Sequence, residues 1–165
     1  DRNLGNYINS ITGREMLLWD GACHVHEQFS AEAILKLKAE HPDAKVLVHP
    51  ECKKEIVALA DKVGSTAVLL KYAVENECKE YIVCTESGIL HQMQKKSPEK
   101  TFIPVPPIVM DGEKPKNCNE CKYMRLNNLE KLYSCMKDEK PEIFVDEKII
   151  ERAKLPIDRM LELSK

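Results

Sequence analysis

The sequence predicts an α/β protein built on short parallel strands, and three observations carry that prediction. Short β-branched runs alternate with helical stripes along the chain. Reactive side chains stand directly after the strand-like runs, where parallel sheets present their ligands. The order of elements also repeats, with a cysteine at the same point of each copy. With 165 residues, 43% of them apolar, the chain can bury a core at the upper edge of one domain. Three segments are expected: 1–50 with Cys23, 51–105 with His-Pro-Glu and Gly-Ser-Thr, and 106–165 with Cys121 and the C-terminal helices.

Asn3 can cap a first helix bearing Leu4, Ile8 and Ile11, closed by Gly13. Glu15–Trp19 reads as a buried strand feeding the loop Asp20-Gly21-Ala22-Cys23-His24-Val25-His26-Glu27. Ser30 is a good N-cap for Ala31–Glu40, with Phe29 and Ile34 placed to form a hydrophobic staple. Lys45–Val48 is a short strand ended by His49-Pro50-Glu51-Cys52, because Pro50 lacks the donor that would extend a ladder.

Ile56, Val57, Leu59, Ala60 and Val63 form a helical stripe up to Gly64, and Ala67–Ala73 form another. Between them Ser65 and Thr66 offer hydroxyls and free N–H groups at a helix start, an anion cradle or simple caps. Glu80–Cys84 is a buried strand, Thr85–Gly88 a loop, Ile89–Lys96 a helix, and Thr101–Val105 an edge strand because of Pro104. A long loop, Pro106–Glu120, leads to a helix opened by Cys121 and bearing Met124, Leu126, Leu129, Leu132 and Tyr133. A strand at Glu142–Val145 and two short helices, one capped by Asp146 and one started by Pro156, complete the chain.

In this order a helix, a strand, a cysteine loop, a helix and a strand occur twice. The strands Glu15–Trp19 and Thr101–Val105 are offset by 86 residues and the cysteines, Cys23 and Cys121, by 98, which leaves a 12-residue insertion in the second loop. Two copies of one α/β unit bring two cysteines to equivalent places and point to a shared ligand near a pseudo-symmetry axis.

A net charge of -2, with 25 basic residues spread along the chain, gives no concentrated cationic face for nucleic acid. No apolar run reaches a membrane span and no signal peptide is visible, so a cytosolic protein is expected. The absence of an initiator Met leads to the expectation of a fragment that starts inside a larger protein. Seven cysteines without a secretory pattern argue for metal, catalysis or burial rather than a disulfide framework. Two completions of a metal site are open. Cys118 and Cys121 can join Cys23 and His26 in a tetrahedral structural zinc site, which the spacing by itself slightly favours. Alternatively, Cys23 and Cys121 hold an iron–sulfur cluster with thiolates from outside this segment.

Seven motifs in order, Asp1-Arg2-Asn3-Leu4-Gly5, Gly21-x-Cys23-x-Val25-His26, Val48-His49-Pro50-Glu51-Cys52, Ala60-Asp61-x-Val63-Gly64-Ser65-Thr66, Thr85-Glu86-Ser87-Gly88, Cys121-x-x-Met124 and Arg159-Met160-Leu161, resemble the second half of quinolinate synthase. The resemblance covers nearly the whole chain. It implies three-layer αβα units, pseudo-symmetric about a threefold axis, each giving one cysteine to a central 4Fe-4S cluster, with the N-terminal part of the family fold missing. It further implies condensation of iminoaspartate with dihydroxyacetone phosphate to quinolinate in NAD biosynthesis, the iminoaspartate coming from an enzyme that oxidises L-aspartate. By the same resemblance Cys23 and Cys121 are cluster ligands, with the third cysteine in the missing half. His49 and Glu51 contact substrate and move protons, Ser65 and Thr66 hold an anionic group, and His26 lies close to cluster and substrate.

Two departures qualify this. The family chain is about twice as long, so this segment alone is expected to be inactive. Cys118, which makes a C-x-x-C pair with Cys121, is a second candidate for the same ligand role. Cys52, Cys78, Cys84 and Cys135 read as structural.

Overall fold

Three runs that the sequence marks as strands, β1 (Lys45–Val48), β3 (Glu80–Cys84) and β4 (Thr101–Pro104), form a parallel sheet with a fourth, β2 (Lys62–Val63), in the order β2-β1-β3-β4. The computed structural model describes residues 1–108 and 119–164, and these divide into two units, Asp1–Lys122 and Tyr123–Lys165.

In the first unit side chains alternate across the sheet, as the strand period requires. Val46, Val48, Ile82 and Cys84 pack on one face with Phe29, Ile34, Cys52 and Ile56, brought there by α2 (Ala31–Glu40) and α3 (Lys54–Val57). Leu47, Tyr81 and Val83 pack on the other with Leu69, Ala73 and Met93 of α4 (Thr66–Glu75) and α5 (Gly88–Lys96). The result is a three-layer α/β unit with all four strands pointing their carboxyl ends to one edge. The expected caps hold: the Ser30 side chain accepts from the Ala33 N–H, and the staple residues Phe29 and Ile34 are both 1% exposed.

Several local expectations are corrected. Glu15–Trp19 is not a strand; Leu17 and Trp19 are exposed, and the segment runs irregularly, Leu18 lying against Gly5, where any Cβ would collide with it. The cap of α1 (Arg2–Thr12) is Asp1, which accepts from the Leu4 N–H, while Asn3 reaches elsewhere. Gly13 closes α1 as expected, with a left-handed φ of 68° that favours glycine. The stripe from Ile56 to Val63 is a four-residue helix followed by a strand. Asp61 exchanges bonds with Val46 at 2.7 and 2.9 Å, and Gly64 N–H reaches Val48 O at 3.2 Å, so pairing with β1 overrides the local helical period.

The second unit holds α6 (Leu129–Asp138), capped by Asn128, and α7 (Glu147–Leu163), capped by Asp146. Cys121 does not open a helix: a 3-10 turn at Met124–Leu126 intervenes, and Asn128 starts α6 by accepting from the Lys131 N–H at 2.8 Å. Glu142–Val145 is not a strand, since no described strand pairs with it. Pro156 does not start a helix but lies within α7, where the exposed surroundings let water replace the backbone bond that proline removes.

Candidate functional site

The edge where the strands end gathers most of the residues marked in the sequence. Beyond β1 the backbone turns at His49-Pro50-Glu51-Cys52, with Cys52 N–H donating to His49 O at 3.0 Å and Pro50 at the turn position that its fixed φ suits. Beyond β3 comes Thr85, and beyond β2 come Gly64, Ser65 and the start of α4.

At the centre is His26, whose side chain is only 7% exposed. Its Nε2 lies 3.0 Å from Thr85 Oγ1, and its ring stacks on His49 with centroids 4.5 Å apart. Its Nδ1 lies 3.0 Å from Glu51 Oε2 but without the alignment of a hydrogen bond, so this buried nitrogen has no hydrogen-bond partner among the described residues. Burial, and then the neighbouring His49 and His24, pull the imidazole down to about 4, so His26 is neutral near pH 7. Burial also lowers His49, against the upward pull of Glu51. Glu51 N–H donates to His49 Nδ1 at 3.3 Å, which leaves the His49 proton on Nε2.

Cys23 completes the group: its Sγ, a His26 ring nitrogen and a Glu51 oxygen lie within 4.8 Å of one another. The three stand on pinned backbone. Cys23 N–H donates to Asp1 Oδ2 at 2.8 Å, and Cys23 O accepts from Glu27 N–H at 3.1 Å. Asn3 Nδ2 donates both to Glu27 Oε1 at 2.6 Å and to Glu51 O at 3.1 Å. Sequence reasoning missed Asp1, Asn3, Glu27 and Thr85. The Asp1-Arg2-Asn3 and Thr85-Glu86-Ser87-Gly88 motifs and the Cys23 loop contained them, but their side-chain roles depend on partners up to 59 residues away.

Cys121 belongs to the same corner through its backbone. Its N–H donates to Glu86 Oε1 at 3.2 Å while Glu86 Oε2 accepts from Gly88 N–H at 2.7 Å, so one carboxylate ties the cysteine to the first turn of α5. Asp1 does the same for Cys23 and α1. Asn119 Nδ2 donates to Val25 O at 2.6 Å, linking positions two residues from each cysteine. Cys118 lies outside the described residues.

Ser65 and Thr66 are exposed at the start of α4, and Ser65 acts as a cap, accepting from Val68 N–H at 3.4 Å. Cys84 is fully buried and Cys52 nearly so, its thiol pushed up to about 12 by burial, whereas Cys135 is exposed on α6. No helix among the described residues is long and apolar enough to cross a membrane.

A parallel α/β unit with thiol, imidazole and carboxylate converging beyond its strand ends defines a protein with a candidate metal centre at the sheet edge. The family model described as "Quinolinate synthetase A protein" matches residues 1–162, and the chain belongs to that family. It is 52% identical over 164 residues to the quinolinate synthase of Microcystis aeruginosa, covering 99% of this chain and 50% of that one. Its identity to the enzyme of Thermosynechococcus vestitus is 53% over the same shares, and to that of Chloroherpeton thalassium 52% over 100% of this chain and 50% of the relative. The chain thus spans about half the length of the curated relatives it matches.

Proposed function

We propose that this chain is the part of a quinolinate synthase that supplies two cluster thiolates and the proton-transfer groups. In this reading the enzyme condenses iminoaspartate with dihydroxyacetone phosphate to quinolinate in the cytoplasm. An enzyme that oxidises L-aspartate supplies the iminoaspartate. Cys23 and Cys121 hold a 4Fe-4S cluster together with a third thiolate from the rest of the enzyme, and the chain by itself is inactive. The donor set suits this group: thiolates are the usual cluster ligands, and beside one of them stands a buried imidazole nitrogen with no hydrogen-bond partner among the described residues. A cluster with three protein ligands supplies, when bound, an open iron that polarises a substrate oxygen.

The observation that carries the reading is the convergence of Cys23, His26 and Glu51 within 4.8 Å at the end of β1, in a chain of this family. Glu51 acts as general base and acid. Its peptide is fixed by Asn3 and His49, which leaves its partly exposed carboxylate to take a proton from substrate carbon. His49 carries its proton on Nε2 and donates it to a substrate oxygen. His26, held by Thr85, stands 3.0 Å from Glu51 on the buried side and lines the substrate pocket. Ser65 and Thr66, with the free N–H groups of α4, hold an anionic group of the substrate.

Glu51→Gln in the whole enzyme keeps the side chain's shape and removes its proton acceptor. Turnover falls at least about a hundredfold while cluster content and product affinity stay near normal. Retained turnover with only a raised KM would make Glu51 a binding group and defeat the assignment.

A further inference from the structure

We infer that Cys23, His26 and Glu51 form a site for a single divalent transition-metal ion in the cluster-free protein. The central observation is the contact between His26 Nδ1 and Glu51 Oε2. At 3.0 Å the atoms are close enough for a hydrogen bond, but they are misaligned for one, and Nδ1 is buried without a hydrogen-bond partner among the described residues. Two ligands of one ion behave this way, since each points at the ion rather than at the other. At metal–ligand lengths of about 2.0–2.3 Å, tetrahedral ligand atoms stand about 3.2–3.8 Å apart. The His26–Glu51 contact is near that spacing, and Cys23 Sγ, within 4.8 Å of both, reaches it by a small movement of a half-buried side chain.

The surroundings fit a metal ligand set. Thr85 Oγ1 lies 3.0 Å from the opposite nitrogen of His26, and in the tautomer that carries its proton on Nε2 this outer-shell contact leaves Nδ1 its lone pair for an ion. Asp1 fixes the Cys23 amide and Asn3 the Glu51 carbonyl, so two ligands are set on rigid backbone before any ion arrives. Thiolate and carboxylate together neutralise a divalent charge, and a sulfur, nitrogen and oxygen set with one open position suits zinc, cobalt or ferrous ions rather than magnesium or calcium. This ligand set excludes Cys118 and Cys121, and it shares Cys23 with the proposed cluster, so ion and cluster occupy the corner alternately.

The test is a cobalt(II) titration of the cluster-free whole protein, kept anaerobic, in a Cys118→Ser, Cys121→Ser background that removes the other thiolate pair. One equivalent is expected to bind with a thiolate-to-cobalt charge-transfer band and the intense visible bands of a tetrahedral ion. Cys23→Ser abolishes the charge-transfer band. His26→Gln and Glu51→Gln each weaken binding at least about tenfold. Circular dichroism checks each fold, and Glu51→Gln, at a partly exposed side chain, carries the test where His26→Gln does not fold. No thiolate band in the starting background, or unchanged affinity in folded Glu51→Gln, overturns the inference. Neither result depends on cluster assembly or turnover, so the proposed enzyme function stands or falls separately.

Discussion

The two cysteine modules have one local design and two different environments. Cys23, a 3-10 turn at His26–Gln28, the cap Ser30 and α2 at Ala31–Glu40 correspond to Cys121, a 3-10 turn at Met124–Leu126, the cap Asn128 and α6 at Leu129–Asp138, each at an offset of 98 residues. The side chains differ at matching positions. Val25 is 1% exposed and its counterpart Tyr123 is 59%; Ile34 is 1% exposed and Leu132 is 56%. Phe29, the outer half of the staple, is matched by Asn127, which cannot form one. Buried His26 is matched by exposed Met124, which offers neither a proton nor a strong ligand atom. Turn and cap are therefore written locally, whereas burial, and with it the chemistry at His26, comes from the sheet beneath the first module.

The largest effect tests what the modules share. In the whole protein Cys23→Ser and Cys121→Ser each abolish cluster binding, measured as iron and sulfide after anaerobic reconstitution, while Cys135→Ser retains it. Full cluster content in Cys121→Ser would transfer the role to Cys118 and break the equivalence.

An intermediate effect tests what they do not share. Ile34→Ala costs about 2–5 kcal/mol in denaturant unfolding, the loss of a core side chain, and Leu132→Ala stays within about 0.5 kcal/mol. Equal losses would mean that the second module is covered in the whole protein as the first is covered here. The smallest effect is a matched pair: Ser30→Ala and Asn128→Ala each cost about 1 kcal/mol, because each cap satisfies one N–H in its first turn. A cost confined to Ser30→Ala would show that the cap matters only over a packed helix.

The same division explains what was legible in the sequence. β1, β3 and β4 could be read because β-branched runs ended at proline or at polar loops, and α2, α4 and α5 because caps and apolar spacing agreed. Glu15–Trp19 and Glu142–Val145 have strand-like composition but no described partner strand, and a strand exists only in a ladder. Lys62–Val63 failed in the opposite direction, because Val63 continues the helical apolar spacing that starts at Ile56 and only pairing with β1 makes the segment a strand. In the site, Cys23, His49 and Glu51 were readable as reactive groups after strand-like runs. The bonds that position them, His26 to Thr85 and Asn3 to Glu51, span 59 and 48 residues and leave no local pattern.

The paired carboxylates under the cysteines have a consequence for how this architecture can vary. Asp1 registers Cys23 to the start of α1, and Glu86 registers Cys121 to the start of α5, so each cysteine's position is referenced to a helix rather than measured out along its own loop. A loop whose far end is anchored in this way is free in length, and each doubling of a flexible loop costs only about 0.6 kcal/mol. Counted from the helix starts at Arg2 and Gly88, 86 residues apart, to cysteines 98 apart, the second segment carries 12 more residues than the first and still ends in the same carboxylate anchor. Insertions before either cysteine become a permitted route of divergence, whereas replacement of the small acidic anchor does not.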